Sequence, residues 1–416
     1  MQPSESCLEW LDSLKIRGMS LGVENTRRAV EYAIGDLAQL PTTIHVAGSN
    51  GKGTLCSALS AQLCSTGKNV TLFTSPHLFD YRERVRVNGK PLAQERFVKH
   101  LNKIMRIDEE GGLGLTYFEV GMVLSCIEAV TNQGYLILET GLGGRLDATR
   151  SIPAEYCILT SLSVEHSEIL GSKIEEIAYE KSMIARPGSK LITPRYSEEV
   201  REVIQRVVSS CFRSELGELD SPAQWIECFS PQYSVRELIE LCCNQLGVPT
   251  SNLDSNLDNS RWPCRGEFVS SPEGIDLFLD SAHNPSGMKY MVNRYIDRIK
   301  LQLKNQKTNC KIIFGTSPQS EMDSFVSPLI EMLKDLDIDQ IILSKPTTGR
   351  YPGVNPHELI EYQWPCDDIV LLQSVQEVPD LLVGYSGLVI CTGSIYMLGE
   401  LVEALGIIDD EYLKIH

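Results

Sequence analysis

From Thr42 onward, short apolar runs alternate with longer stretches of mixed polarity. TIHVAG, NVTLFTS, YLILETG, YCILTSL and KLITP form a first set; GIDLFLDS, CKIIFGTS, DQIILSKP, DIVLL and GLVICTGS form a second beyond Arg261. Near-continuous apolar runs read as strands buried on both faces, and the intervening amphipathic stretches read as helices that cover them. The alternation predicts an α/β fold: a P-loop-containing, mainly parallel sheet domain, then a smaller Rossmann-like α/β C-terminal domain. Residues 8 to 34, ahead of the first run, read as helical. The polar segment VPTSNLDSNLDNSR between the two sets, with its proline and Asn, Asp and Ser residues, reads as a hinge. The expected division is therefore 1–250, a linker at 251–261, and 262–416. Two domains also suit a chain of 416 residues. No internal repeat or low-complexity tract interrupts it.

In sheets of this kind ligands sit at the carboxyl ends of the strands. The first run leads directly into TTIHVAGSNGKGT, an apolar strand followed by a glycine-rich turn, with a helix expected from Leu55 to Ser65. Gly48, Ser49, Asn50, Gly51 and Gly53 allow consecutive backbone N–H groups to face one concavity. Lys52 supplies a point charge for the β/γ-phosphates of a nucleotide, and Thr54 offers a hydroxyl to Mg²⁺. The spacing departs from the ordinary G-x-x-x-x-G-K-[ST]: Gly48 is three residues before Gly51, and Gly53 separates Lys52 from Thr54.

Charge narrows the partners. A formal net charge of −17 opposes attraction to nucleic-acid or anionic membrane surfaces, so the expected partners are small molecules, with no nucleic acid and no membrane. No segment approaches the roughly 18 to 20 consecutive apolar residues of a membrane span, and MQPSESCLEW lacks the basic and apolar regions of a signal peptide. Thirteen scattered cysteines with no CxxC pair read as buried, reduced thiols of a cytoplasmic protein.

Several strand ends carry further chemistry. TSPHLFDYRERVRV presents Ser75, His77 and three arginines, Arg82, Arg84 and Arg86, at alternate positions that would share one face of an extended segment. Such a stripe suits either a carboxylate-rich substrate or a solvated strand face. In YLILETGLGGRLDATR, Glu139 ends a buried strand ahead of Gly141, Gly143 and Gly144, a placement suited to holding Mg²⁺ against bound phosphates. His166 in SVEHSEILG suits a ligand or a merely hydrogen-bonded ring, and Lys181 in AYEKSMIARPG has the pattern of an ordinary helix-surface lysine. In the second set, Arg265 lies in WPCRGEF, and DSAHNPSG brings Asp280, His283 and Asn284 to a strand-to-helix junction where Asn284-Pro285 is a helix start.

Together these segments resemble the folylpolyglutamate synthase and dihydrofolate synthase branch of the Mur ligase superfamily over nearly the whole chain. CLEWLDSL and GMSLGVENTRRAV are similar to the family's start, GSNGKGT to its ATP loop, and TSPHL with ERVRVNG to its Ω-loop. LTYFE resembles its pterin-side segment and ETGLGGRLDAT its acidic metal-binding turn; SVEHSEILG, YEKSMIARPG, PCRGEF and DSAHNP follow in family order. The first domain is then expected to be like the Mur ligase central domain.

The resemblance implies an ATP-dependent acid–amino-acid ligase that joins L-glutamate to a dihydropteroate or reduced-folate carboxylate through an acyl phosphate. Its place would be folate biosynthesis and one-carbon metabolism, in a monomer. A Mur-type ligase acting on a cell-wall or specialised-metabolite carboxylate is the alternative. By the same resemblance Lys52, His166 and Lys181 are catalytic. Thr54 and Glu139 hold one Mg²⁺, and Ser75, Glu139 and His166 surround a second. Lys181 matches the lysine that the family converts to a carbamate. Gln232, Arg265 and Asp280 join the loop in holding ATP, while Arg82, Thr116, Phe118, Asp147 and Ala148 face the folate, with His283 and Asn284 on the glutamate side. Ala148 resembles enzymes that accept dihydropteroate, which favours a bifunctional enzyme. Arg150 after LDAT, Cys264 in place of a glycine, Ser234 in place of an asparagine and a short stretch from Lys190 to Pro231 depart from the family pattern.

Overall fold

The computed structural model describes residues 3–18, 22–164, 166–210, 223–230, 234–319, 321–349, 352–409 and 411–416. The chain divides into two compact units. One comprises Met1–His77, Tyr81–Arg261 and Lys414–His416; the other comprises Leu78–Asp80 and Trp262–Leu413.

The first unit is built on eight strands: β1 (Thr42–Ala47), β2 (Val70–Phe73), β3 (Val85–Val87), β4 (Lys90–Pro91), β5 (Tyr135–Glu139), β6 (Tyr156–Leu159), β7 (Lys190–Thr193) and β8 (Gln224–Glu227). Their order is β4-β3-β2-β5-β1-β6-β7-β8, parallel from β2 to β8, with β3 and β4 antiparallel at one edge. Every residue from Val70 to Phe73 and from Leu136 to Glu139 is buried, as expected for strands covered on both faces. On one face Phe73, Leu136 and Leu138 pack with Phe97, Leu101, Val120 and Leu124 from the helices Gln94–Gly111 and Tyr117–Asn132. Further along the same face, Cys157, Leu159 and Leu191 meet Ala178, Ile184 and Ile204.

The helix after the glycine-rich turn starts at Lys52, three residues before the expected Leu55, so Lys52 and Thr54 stand in its first turn. It is buried all round, from Leu55 to Leu63. Part of that cover is the segment expected to be a linker. Residues Leu253–Asn259 form a helix instead, with Leu253 buried. Asn256 Nδ2 donates to Gln62 Oε1 and Ser65 Oγ, both at 2.8 Å, and Gln62 Nε2 donates to Pro249 O at 2.7 Å. The polarity read as solvation is spent on a neighbouring helix. The last residues also return to this unit: Arg261 N–H donates to Ile415 O, and Ile415 N–H to Gly89 O.

The second unit holds β9 (Arg265–Ser270), β10 (Asp276–Asp280), β11 (Cys310–Phe314), β12 (Ile338–Leu343), β13 (Ile369–Leu371) and β14 (Leu388–Thr392), ordered β13-β12-β11-β14-β10-β9. All pairings are parallel except β9 with β10. Phe278, Phe314, Ile341 and Ile390 pack under the helices Pro285–Gln306 and Met322–Leu333 on one face, and Leu277, Ile313, Val389 and Leu398 form the core on the other. Both sheets are thus the mainly parallel α/β layers that the apolar pattern predicts. No helix among the described residues is long and apolar enough to cross a membrane.

Candidate active site

The glycine-rich turn is stapled to the strand beside it. Ser49 N–H donates to Ser161 O at 2.8 Å, Thr160 Oγ1 and Ser161 Oγ both donate to Asn50 O, and Ser49 Oγ bridges to the backbone of Ser163. Gly48 has to be glycine: its φ is +147°, and a Cβ there would lie 1.9 Å from Thr160 Oγ1. Gly51 is the N-cap of the following helix and supplies no side-chain cap, which leaves the first N–H groups of that helix available to an anion. Lys52 Nζ curls back onto Gly48 O at 2.8 Å and Ser49 O at 3.1 Å. Thr160, Ser161 and Ser163 were not legible as site residues; the signal they carry is their position just past β6, the neighbour of β1.

Glu139 ends β5 beside Val46 of β1, and the residue is 5% exposed. Ser75 N–H donates to Glu139 Oε2 at 3.1 Å, so two of the expected metal-side residues do meet, through the backbone of Ser75 rather than its hydroxyl. Burial, then the charge of Glu139, raise the thiol of Cys56, with Lys52 opposing them, so both charges act on one point of the helix. Thr54 is exposed on the first turn, and His166 is exposed at φ 48°, capping the short helix Ser167–Leu170. Among the described residues no group of three or more His, Cys, Asp or Glu side chains is gathered for a metal. What is present, one buried carboxylate with Ser75 beside it, has the oxygen chemistry that suits a hard cation able to complete its shell with phosphate and water, as Mg²⁺ does.

Lys181 overturns its surface reading. In the helix Ile174–Ser182 its side chain is 1% exposed, and Nζ donates to Gly48 O at 3.0 Å. Two lysines, Lys52 and Lys181, therefore share one carbonyl oxygen. The acidic turn fixes the helix end that carries Lys181. Gly144 passes so close that a Cβ would meet Glu180 O at 2.7 Å and Lys181 O at 2.9 Å. Arg145 N–H donates to Glu180 O and its Nε to Glu180 Oε1, and Arg150 Nε donates to Met183 O at 2.8 Å. Arg150, a departure from the family pattern, thus has a helix carbonyl as its partner.

On the expected folate side, Thr116 is the N-cap of the helix Tyr117–Asn132, closing a capping box with Glu119, whose carboxylate also accepts Thr26 Oγ1. Phe118 packs edge-on to Phe73 with ring centroids 5.2 Å apart. Asp147 is buried, and its four carboxylate lone-pair positions are filled: Oδ2 accepts Gly141 N–H and Leu142 N–H, and Oδ1 accepts Thr149 N–H and Thr149 Oγ1–H. It holds the turn rather than pointing a free oxygen outward. Burial raises its carboxyl above the usual range against those four donors. Ala148 is buried beside it.

The arginine stripe does not form. Tyr81–Arg84 is a 3-10 turn, and only Arg86 lies on β3. Arg84 is buried over the rings of Tyr81 and Tyr117 at 5.3 and 5.1 Å, and its Nε donates to His77 Nδ1. Arg86 is paired with Glu83, and Arg82 is half-buried. Alternation along the sequence gives one face only in extended backbone, and this backbone is not extended before Val85.

In the second unit Asp280 ends β10 and accepts Ala282 N–H at 2.9 Å; burial raises its carboxyl to about 6, with Arg265 and two backbone N–H groups opposing. Asn284 caps the helix that starts at Pro285, as expected, and His283 is exposed with Nδ1 donating to Ser281 O. Gln232 lies outside the described residues. Ser234 caps the helix Val235–Leu246. Cys264, the other departure, is buried at φ +59°.

No family model matches the chain. Among curated proteins it is 30% identical over 311 residues to the dihydrofolate synthase/folylpolyglutamate synthase of Escherichia coli K12, an alignment covering 70% of this chain and 72% of that one. Its fold is that of E. coli FolC in complex with DHPP and ADP, with a TM-score of 0.77 at 23% identity over 96% of this chain and 97% of that one. It is also that of the bifunctional folylpolyglutamate synthase/dihydrofolate synthase from Yersinia pestis complexed with AMPPNP and Mn ion, with a TM-score of 0.76 at 24% identity over 98% of each. With the phosphate loop, the acidic turn and the two lysines in the same unit of that fold, the chain belongs to the dihydrofolate synthase/folylpolyglutamate synthase family of ATP-dependent ligases.

Proposed function

We propose that this chain joins the amino group of L-glutamate to the carboxylate of a folate-type acceptor, with ATP first converting that carboxylate to an acyl phosphate, and that it accepts both dihydropteroate and reduced folates. The observation that carries the reading is the meeting of Lys52 and Lys181 on Gly48 O. A carboxylate is a poor electrophile, and its activation gathers negative charge at the transferring phosphoryl group. Lys52 has two of its three N–H donors on loop carbonyls, which leaves one for a phosphoryl oxygen. The uncapped N–H groups after Gly51 add donors to the same concavity.

A divalent metal suits Glu139, with Thr54 on one side and Ser75 and His166 on the other, as one or two Mg²⁺ ions; bound there it would neutralise charge on the phosphates. Lys181, once deprotonated to the neutral amine, is proposed to add to CO₂, its nitrogen forming the N–C bond and releasing a second proton to solvent, to give a carbamate. Two cations on one carbonyl oxygen repel each other, and turning one into an anion relieves that repulsion while adding an oxygen donor. Arg265 and Asp280 would serve ATP, with Gln232, and His283 and Asn284 would serve glutamate. Arg82, Thr116, Phe118 and Ala148 would face the acceptor, with Asp147 acting through the turn it holds. A cytoplasmic monomer working on small molecules suits the charge of −17 and the free thiols of the described cysteines.

The test is phosphate release with MgATP and L-glutamate, comparing dihydropteroate with tetrahydrofolate. Turnover of both supports a bifunctional ligase, turnover of one restricts it, and turnover of neither refutes the folate reading.

A further inference from the structure

His45 sits in the middle of β1 with no exposed surface, an imidazole among apolar strand residues. Its Nε2 lies 2.6 Å from Thr149 Oγ1. The Thr149 hydroxyl has a single proton, and that proton goes to the carboxylate of Asp147. Thr149 Oγ1 must therefore accept from His45, which places the imidazole proton on Nε2 and leaves Nδ1 as a buried lone pair with no hydrogen-bond partner among the described residues. The neighbouring charges, Arg186 and Arg150, act with burial to keep the ring neutral. Donation then runs one way, from His45 through Thr149 to Asp147, whose other oxygen gathers the N–H groups of Gly141 and Leu142.

That chain connects two parts of the site that no sequence spacing relates. His45 lies three residues before Gly48 on the strand that feeds the phosphate loop, and Gly141 and Leu142 stand two and three residues after Glu139. Resting on the functional reading above, we propose that His45 is a positioning residue: its Nε2–H, relayed through Thr149 to Asp147, holds the turn after Glu139 in register with the phosphate-loop strand and so shapes the acceptor side of the site. A neutral donor suits this task because its direction does not change over the pH range in which such an enzyme works. A buried Nδ1 without a partner is a cost that packing alone would remove by placing an aliphatic residue there.

The test uses the full chain and the variants His45→Leu, His45→Gln, Thr149→Val and the double variant His45→Leu/Thr149→Val. Glutamine can set an amide N–H where Nε2–H stands; leucine cannot. The readouts are dihydropteroate affinity by calorimetry without nucleotide, the separate KM values for dihydropteroate and ATP, and amide hydrogen exchange at Gly141 and Leu142. Expected are a loss of about tenfold in dihydropteroate affinity for His45→Leu and for Thr149→Val, an ATP KM within about twofold, and faster exchange at both amides. Glutamine should restore most of the loss, and the double variant should be no worse than the worse single. Additive losses, a glutamine variant no better than leucine, or unchanged exchange at Gly141 and Leu142 would overturn the inference. Thr149→Val, nearly isosteric, decides the matter if His45→Leu does not fold. A wild-type chain that neither binds nor turns over dihydropteroate refutes the functional reading instead, and the exchange measurement then still decides the relay.

Discussion

The two units share one plan, a mainly parallel sheet between helices, yet their strand ends are finished differently. At the carboxyl ends of β1, β5 and β6, hydroxyls and carbonyls satisfy one another: Thr160 and Ser161 on Asn50 O, Ser49 on Ser163, Thr149 on Asp147. At the ends of β10, β12 and β14, the hydroxyls of Ser281, Ser344 and Thr392 are fully buried and have no hydrogen-bond partner among the described residues. The first edge is held in shape by the protein itself. The second carries polar groups whose burial the fold does not compensate, each costing about 1–3 kcal/mol. A preorganised edge is where the loss of one charged group should be felt most in catalysis, and an uncompensated edge is where removing a polar group should be felt least.

The sharpest break of that comparison lies in the first unit. Lys181→Ala and Lys181→Arg should both drop turnover by about 10⁴-fold, the scale of removing one member of a group that acts as a unit, while thermal melting stays near wild type. Short-chain carboxylates should restore part of the alanine variant's activity and none of the arginine variant's. An active arginine variant would mean that the residue serves as a cation, and the carbamate proposal would fall. Glu139→Ala should be as inactive at saturating Mg²⁺.

Acid separates the units next. The neutral imidazole of His45, held at about 3 against an ordinary 6.5 chiefly by burial, stabilises the fold fully above pH 6.5 and loses that contribution as pH falls toward 3. At about 1.4 kcal/mol per pKa unit the loss reaches roughly 5 kcal/mol. His77, lowered by burial and by Arg84, shifts in the same direction. Asp280 has the opposite sign: its carboxyl at about 6 against an ordinary 3.8 means that the fold prefers the protonated acid, so its contribution is whole below pH 3.8 and gone above 6. Hydrogen exchange between pH 7 and pH 4 should therefore show protection falling in β1 and β5 while β10 and β14 hold or gain. Equal loss in both sheets would contradict the assignment, and Asp280→Asn should flatten the profile of the second sheet alone.

How much of this was legible follows from which signals are local. The strands, the phosphate turn and the Asn284-Pro285 helix start are written in consecutive residues and are found where expected. Lys181 was not legible because its burial depends on a turn some thirty residues earlier that grips its helix through Gly144, Arg145 and Arg150. The arginine stripe failed for the opposite reason: the residue types alternate, but a 3-10 turn at Tyr81–Arg84 removes the extended backbone that would align them. The chain divides between Arg261 and Trp262, where the expected linker ends, but Leu253–Asn259 within it is helical, because side-chain amides that look solvated in sequence are satisfied by the helix of Lys52–Ser65. His45 carries no pattern signal at all; only its distance to Thr149 shows what it does.

A smaller test addresses the second edge directly. Thr392→Val keeps the branched shape and removes a hydroxyl with no partner among the described residues, so it should raise stability by about 1 kcal/mol, read as a higher urea midpoint at unchanged slope. A loss of stability would show that the hydroxyl is satisfied in solution and that the contrast between the two edges is overstated.

The smallest effect is expected at Cys264, where two costs oppose each other. Its φ of +59° is a left-handed conformation that costs an L-residue about 1–2 kcal/mol and a glycine little. The same thiol is fully buried, 3.6 Å from Tyr412 Oη, and removing it gives up about 1 kcal/mol of apolar burial while glycine loosens the unfolded chain by a similar fraction. Cys264→Gly should therefore change stability by less than about 1 kcal/mol in either direction, and since Cys264 precedes Arg265 without lending a charge of its own, the KM for ATP should move less than about twofold. A destabilisation above about 2 kcal/mol would mean that packing of the thiol decides this position. A gain of that size would mean that the strained backbone does, and that the second unit carries at Cys264 a strain for which its buried thiol gives little in return.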